Sequence, residues 1–254
     1  MTAAPLSRAV VERRIAPRSG LDYFPTPPWA TRALVEHLTA RGELVPAQTI
    51  WEPAAGGGHM AEVLRETNAV FPSDIHDYGV GYAVGSFISL PPGAPFFETR
   101  PPLPSPWCDG PDWIVSNPPF SAMAEFIERA VDLANVGVAF LTRTTFLEGG
   151  DRYHRLFSVD RCRPSRVLQF AGRVPMQEGR WNPAGKTATS YAWIIWLRQR
   201  DLLFHSEFAW IDPGARARLT RLDDGLRFAG EVAPCALHRA IRKHGPHGVI
   251  EGPF

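Results

Sequence analysis

The chain has 254 residues, 44% hydrophobic and 11% aromatic, with 27 basic and 26 acidic side chains. That is room for one α/β domain with appendages, and the apolar content argues against wholesale disorder. No apolar run approaches the roughly 18 residues of a membrane span and the N-terminus has no signal-peptide h-region, so a cytoplasmic protein is the simplest expectation.

Only two of the basic residues are lysines, Lys186 and Lys243. Arginine makes fork-shaped contacts with phosphate and stacks on bases, as a nucleic-acid binder requires. Arginine-favouring codon usage in a GC-rich genome accounts for the same bias. The cysteines Cys108, Cys162 and Cys235 are far apart and form no CxxC pair, and the histidines lack HExxH spacing. No metal site is predicted.

Residues 1–20 carry Arg8, Arg13, Arg14 and Arg18 without an apolar pattern, and read as a mobile basic arm. Thr26-Pro27-Pro28 reads as a helix start with Thr26 as N-cap, followed by Trp29, Ala33, Leu34, His37 and Leu38 at helical spacing. Thr49-Ile50-Trp51-Glu52 is a short strand, and Pro53-Ala54-Ala55-Gly56-Gly57-Gly58 leads into a helix with Met60, Val63 and Leu64. Ala69-Val70-Phe71 begin a second strand running towards Asp74, and proline-rich residues 91–111 read as a connection.

Trp113-Ile114-Val115 form a buried strand ending at Asn117, followed by a helix carrying Met123, Phe126, Ile127, Ala130 and Leu133. Further strands are expected at Val136 to Leu141, Val167 to Phe170 and Tyr191 to Leu197, the last two joined by a long polar loop. Strands alternating with helices predict an α/β fold with a doubly wound, mostly parallel sheet over residues 21–200. Residues 201–254 form a small C-terminal extension, in which Phe208 to Ile211 reads as a strand and Arg216, Arg218 and Arg221 as a basic cluster or an ordinary solvated surface.

Three consecutive glycines after a strand let the backbone turn tightly and approach a ligand closely, with the next helix presenting free N–H groups. Nicotinamide and flavin enzymes use related turns, and Asp74 suits a ribose diol with any of these cofactors. The acid before the loop, Glu52, tilts the reading towards S-adenosylmethionine, because a carboxylate repels a pyrophosphate and suits a cationic ligand.

Asn117-Pro118-Pro119-Phe120 is the sharper signal. The amine of adenine is a poor nucleophile, its lone pair being delocalised into the ring. The Asn117 side-chain oxygen and the Pro118 carbonyl supply two acceptors for its two hydrogens, Pro119 stiffens the turn, and Phe120 offers a face for a base drawn out of its duplex. A strand-terminating Asn-Pro turn with Phe120 in the core is the plainer reading.

With these motifs the chain resembles the class I S-adenosylmethionine-dependent amino-methyltransferases, in particular bacterial and phage adenine-N6 DNA methyltransferases, over approximately residues 22–200. Phe24-Pro25-Thr26-Pro27 is similar to the family's N-terminal cofactor segment, and Glu52-Pro53-Ala54-Ala55-Gly56-Gly57-Gly58-His59 to its cofactor loop. Asp74 matches the ribose-binding acid and Asn117 to Phe120 the catalytic tetrapeptide, in gamma motif order. Gly85-Ser86-Phe87 stands where the family commonly has an acid followed by phenylalanine, so Ser86 is a neutral partner for the cofactor adenine.

The resemblance implies a seven-stranded sheet with an antiparallel last strand, S-adenosylmethionine as cofactor, DNA as partner and N6-methyladenine as product after base flipping. RNA methylation at adenine-N6 or guanine-N2 is the alternative, and a nucleic-acid-binding module that no longer transfers methyl is the non-enzymatic one. The loop from Gly172 to Ser190, with Arg173, Arg180, Trp181, Asn182 and Lys186, is expected to meet phosphates and bases or to be an ordinary surface loop.

Overall fold

A computed structural model describes residues 23–89, 110–198 and 205–229. The basic arm, Cys108, Cys235 and most of the proline-rich connection lie outside the described residues.

Eight strands form one sheet: β1 (Thr49–Glu52), β2 (Ala69–Asp74), β3 (Ala83–Val84), β4 (Trp113–Ser116), β5 (Gly137–Arg143), β6 (Arg166–Phe170), β7 (Tyr191–Leu197) and β8 (Glu207–Ile211), in the order β3-β2-β1-β4-β5-β7-β6-β8. β7 runs antiparallel to both neighbours, β5 and β6, and every other pairing is parallel. The antiparallel strand is therefore where the resemblance put it. The expected seven strands become eight: β3 pairs by only two residues with Ser73 and Asp74, and β8 extends the edge alongside β6.

Alternation along each strand splits the core into two layers. Ile50, Trp113, Val115, Ala139, Leu141, Trp193 and Ile195 face α1 (Pro28–Ala40), α2 (His59–Leu64) and α5 (Ala215–Leu219). Trp51, Ile114, Val138, Phe140, Ile194 and Trp196 face α3 (Met123–Leu133), whose buried stripe is the predicted Met123, Phe126, Ile127 and Ala130. A short helix α4 (Gly150–Arg152) and two one-turn segments complete that second layer.

The first turn of α1 differs from expectation. Pro27 is the N-cap residue and makes no side-chain cap, while Thr26 before it is 3% exposed. The loop between β6 and β7 is also less polar than predicted, because Val174, Met176 and Trp181 are buried.

The described part of the C-terminal extension, residues 205–229, adds β8 to the sheet edge and is fastened to α1. Helix α6 (Asp224–Phe228) places Asp224, 1% exposed, against Arg32 of α1, whose guanidinium donates to both Asp224 oxygens at 2.7 Å and to both Glu66 oxygens at 2.8 and 3.0 Å. The chain turns outward in both directions from the neighbouring strands β1 and β4, which opens a crevice beyond their carboxyl ends. The glycine loop leaves β1 and the Asn117 segment leaves β4 at that crevice.

Candidate active site

The crevice is lined by Phe24, Thr26, Glu52, Pro53, Ala54, Gly56, His59, Asp74, Ser86, Phe87, Asn117 and Pro119, and it also takes in Tyr23, Tyr78 and Phe126. Three segments far apart in sequence and two strand ends thus meet around one cavity. Pro27, Gly58, Pro118 and Phe120 belong to the same loops but do not line the cavity itself.

The glycine loop is folded on its own partners. Gly56 and Gly58 have φ of +52° and +87°, in the left-handed region that a side chain strains. The Gly56 amide donates to Asp74 Oδ2 at 2.8 Å, the Gly57 amide to the Tyr23 hydroxyl at 3.2 Å, and the Gly58 amide to the Ala55 carbonyl at 2.8 Å. All three glycine amides are therefore already engaged within the protein, whereas the free N–H groups expected of the next helix belong to its first turn, from His59 onward. A Cβ at Gly56 would also overlap the Tyr23 ring, and one at Gly58 the Tyr82 hydroxyl, so these glycines make room for tyrosines.

Tyr23 was not singled out in the sequence, although it directly precedes Phe24. Its hydroxyl lies 3.3 Å from His59 Nδ1, and His59 Nε2 lies 2.8 Å from the Phe228 carbonyl. A carbonyl only accepts, so Nε2 carries the imidazole proton and Nδ1 accepts from the tyrosine hydroxyl. Burial lowers the His59 pKa and pushes that of Tyr23 up to about 12, which keeps both groups neutral. The relay from Gly57 through Tyr23 and His59 therefore ends on α6.

Asp74 sits at the end of β2, where its Oδ1 also accepts from the His76 amide at 3.0 Å. Glu52 is 2% exposed, and its Oε2 has no hydrogen-bond partner. Burial first, and the neighbouring Asp74 charge second, push its carboxyl well above the usual range, against a backbone hydrogen bond from Ala61. Phe87 is held between Trp51 and Phe126 at ring distances of 4.9 Å, while the Ser86 hydroxyl donates to Ser89 at 3.0 Å.

Asn117 is anchored by one end. Its Nδ2 donates to the Phe24 carbonyl at 2.9 Å and meets the Met176 sulfur at 3.7 Å, whereas its Oδ1 is buried without a partner. A carbonyl facing the amide nitrogen settles which atom turns away from it. Phe120 begins a one-turn segment, tilts against Phe24 at 5.8 Å, and has the Arg143 guanidinium 4.3 Å above its ring. One face of Phe120 is thereby covered.

The residues expected to meet nucleic acid are not all free to do so. Arg173, Arg180 and Lys186 are exposed, and Asn182 accepts from the Ala184 amide at 3.0 Å. Trp181 is corrected as a stacking platform: it is 3% exposed, packed with Val63 and Phe228, and its backbone bridges to Ala229. Among the described residues, no group of three histidines, cysteines or acids is placed to hold a metal ion.

No family model and no curated protein sequence matches this chain. Solved structures do. The "putative RNA methyltransferase" of Pyrococcus horikoshii superposes with a TM-score of 0.51 at 13% identity, over 73% of this chain and 91% of that one. The type I restriction-modification methyltransferase subunit of Streptococcus thermophilus gives 0.50 at 12% identity, covering 87% of this chain but 53% of that chain. This protein thus spans about half the length of the second relative. At such identities the likeness concerns architecture: the chain has the Rossmann-like methyltransferase fold.

Proposed function

We propose that this protein transfers a methyl group from S-adenosylmethionine to the exocyclic amine of adenine in DNA. The observation that carries the reading is the buried, unpartnered Asn117 Oδ1, held by the Phe24 carbonyl at the neighbouring nitrogen, in a crevice that also holds an unpartnered Glu52 oxygen.

The residues fit the cofactor on two counts. Glu52 is a buried acceptor whose charge is costly until a cation approaches, and S-adenosylmethionine carries both an ammonium and a sulfonium. The glycine amides are already bonded, and the acids Glu52 and Asp74 line the cavity, which disfavours a pyrophosphate. Asp74 has lone pairs left for a ribose diol, and Phe87 and Ile88 give the adenine an apolar wall. When bound, S-adenosylmethionine supplies a methyl group made electrophilic by its sulfonium.

The chain's own part is orientation and electrostatics. Asn117 Oδ1 accepts one amine hydrogen, and the Pro118 carbonyl is assigned the other. Both acceptors favour the cationic nitrogen that forms as the methyl is received, and its surplus proton passes to water because neither oxygen is a strong base. Phe120, next to the cavity-lining Pro119, is assigned to stack on the ring. DNA as the polymer rests on the family resemblance; the exposed Arg180, next to Gly179 whose amide donates to the carbonyl of the cavity-lining Tyr23 at 2.9 Å, supports a phosphate-bearing substrate of either kind.

The test is incubation with methyl-labelled S-adenosylmethionine and separate DNA, RNA and protein acceptors, followed by digestion to identify the labelled base. Label on N6 of adenine from DNA supports the reading; label confined to RNA moves the substrate, and cofactor binding without transfer favours a binding module.

Glu52 gives a separate expectation. Because its folded-state pKa is raised, the ligand-free native protein binds more protons than the unfolded chain above the ordinary value of 4.5, and stability falls as pH rises from there. Glu52→Gln is expected to flatten that fall and to stabilise the ligand-free protein at pH 7 by roughly 1–3 kcal/mol, while weakening cofactor binding about tenfold. Melting curves against pH, paired with titration calorimetry, check both. A variant that is less stable at pH 7 and binds the cofactor normally contradicts the assignment.

A further inference from the structure

A second cavity, of about 210 Å³, lies between the first turn of α1, the end of β6 and the turn from β8 into α5. Trp29 and Phe170 form its floor, with Arg173, Asp212 and Arg216 around the mouth. Its Trp29 stands three residues after Thr26, which with Pro25 lines the cofactor crevice just before α1 begins.

The charges at this cavity are unevenly matched. In the predicted basic cluster, Arg218 pairs with Glu36 and Asp212, and Arg221 pairs with Glu66. Arg216 has no carboxylate partner among the described residues; its Nη2 donates to the Pro183 carbonyl at 2.6 Å. It is nevertheless half-buried, and that burial lowers its pKa. Arg173 likewise bonds a neutral group, the Ser190 hydroxyl. Asp212 opposes an anion here, but Arg218 at 3.3 Å offsets its charge. Two guanidiniums with neutral partners, one of them desolvated, are each favoured by an added anion.

Position supplies the rest. Arg173 is three residues from Met176, which touches Asn117, so their Cα atoms are at most about 11 Å apart. We propose that Arg216 and Arg173 hold a backbone phosphate of the nucleic-acid substrate in this cavity, beside the nucleotide whose amine reaches Asn117. The inference rests on the nucleic-acid reading above and adds the place where the strand is gripped. Arg216 comes from the C-terminal extension, so that segment serves in substrate binding.

Fluorescence anisotropy with a labelled DNA duplex and a single strand, across a salt series, tests it on the full chain. Arg216→Gln is expected to weaken binding about tenfold and to reduce the slope of log K against log salt by about 0.9, and Arg173→Gln to act in the same direction. Arg216→Lys should restore the slope while recovering only part of the affinity. Affinity for S-adenosylhomocysteine should stay unchanged in all three, and the exposed Arg173 variant guards against a folding defect at Arg216. Unchanged affinity and slope in both glutamine variants, with a wild type that binds DNA, overturns the phosphate site and leaves the proposed reaction standing. A wild type that binds neither form of DNA overturns both. Thermal protection by inorganic phosphate that is lost in Arg216→Gln, with DNA binding untouched, assigns the cavity to a free anion and overturns the substrate role.

Discussion

Asn117→Ala is expected to lower methyl transfer by about 10²–10³-fold, the usual loss when one preorganised polar contact to the reacting group is deleted. S-adenosylhomocysteine affinity should change by less than about threefold, because Glu52, Asp74 and the glycine loop keep their partners. Asn117→Asp is a stricter variant. It keeps an oxygen at Oδ1 but turns a second one towards the Phe24 carbonyl, where the amide nitrogen now donates at 2.9 Å. Two acceptors facing each other repel, so the side chain loses its anchor and transfer should fall nearly as far as in the alanine variant. Single-turnover rates and calorimetry separate the two quantities. Transfer within tenfold of wild type in both variants would sink the assignment of Asn117 as the amine acceptor.

The largest loss of stability is expected at Arg32, which lies on α1 but fastens the C-terminal extension. Its fork engages Asp224 and Glu66, and Nη1 donates in addition to the Leu219 carbonyl at 2.9 Å. Asp224 is 1% exposed, so Arg32→Met leaves a buried carboxylate whose remaining partner is the Arg221 amide at 2.8 Å. Breaking one side of such a pair costs about 3–5 kcal/mol, and at roughly 2–4 °C per kcal/mol the melting temperature should fall by about 6–20 °C. The double variant Arg32→Met with Asp224→Leu should recover most of that loss, since both charges are then gone. A double variant no more stable than the single one would show that the loss arises from packing, not from a stranded charge.

What the sequence disclosed and what it withheld divide along chain distance. Met123, Phe126, Ile127 and Ala130 repeat at helical spacing, and they form the buried stripe of α3. Asn117 and the glycines announce themselves locally, because two prolines in a row fix the backbone and three glycines in a row free it for a turn that other residues resist. Arg32 and Asp224 are 192 residues apart, and no periodicity links them. Tyr23, His59 and Phe228 likewise meet only through the fold, so the tie across the glycine loop left no local signal. Trp181 misled for a related reason: an aromatic among arginines suits a base, yet Val63 and Phe228 bury it. Thr26 is a residue type suited to a cap, but Pro27 takes that position and Thr26 is buried in the wall of the crevice.

The bonded glycine loop also bears on how tightly a small cofactor can be held. Gly56, Gly57 and Gly58 would each surrender about 1–2 kcal/mol of conformational freedom if they became ordered only around a ligand, and glycine surrenders the most of any residue. Here Asp74, Tyr23 and Ala55 have already ordered them, so folding bears that entropy before any ligand arrives. Association then draws on the attraction of Glu52 and the apolar wall with little of it consumed by the loop. The same economy makes the loop intolerant: loosening Tyr23 would return the disorder to the binding step even with Glu52, Asp74 and the apolar wall left in place.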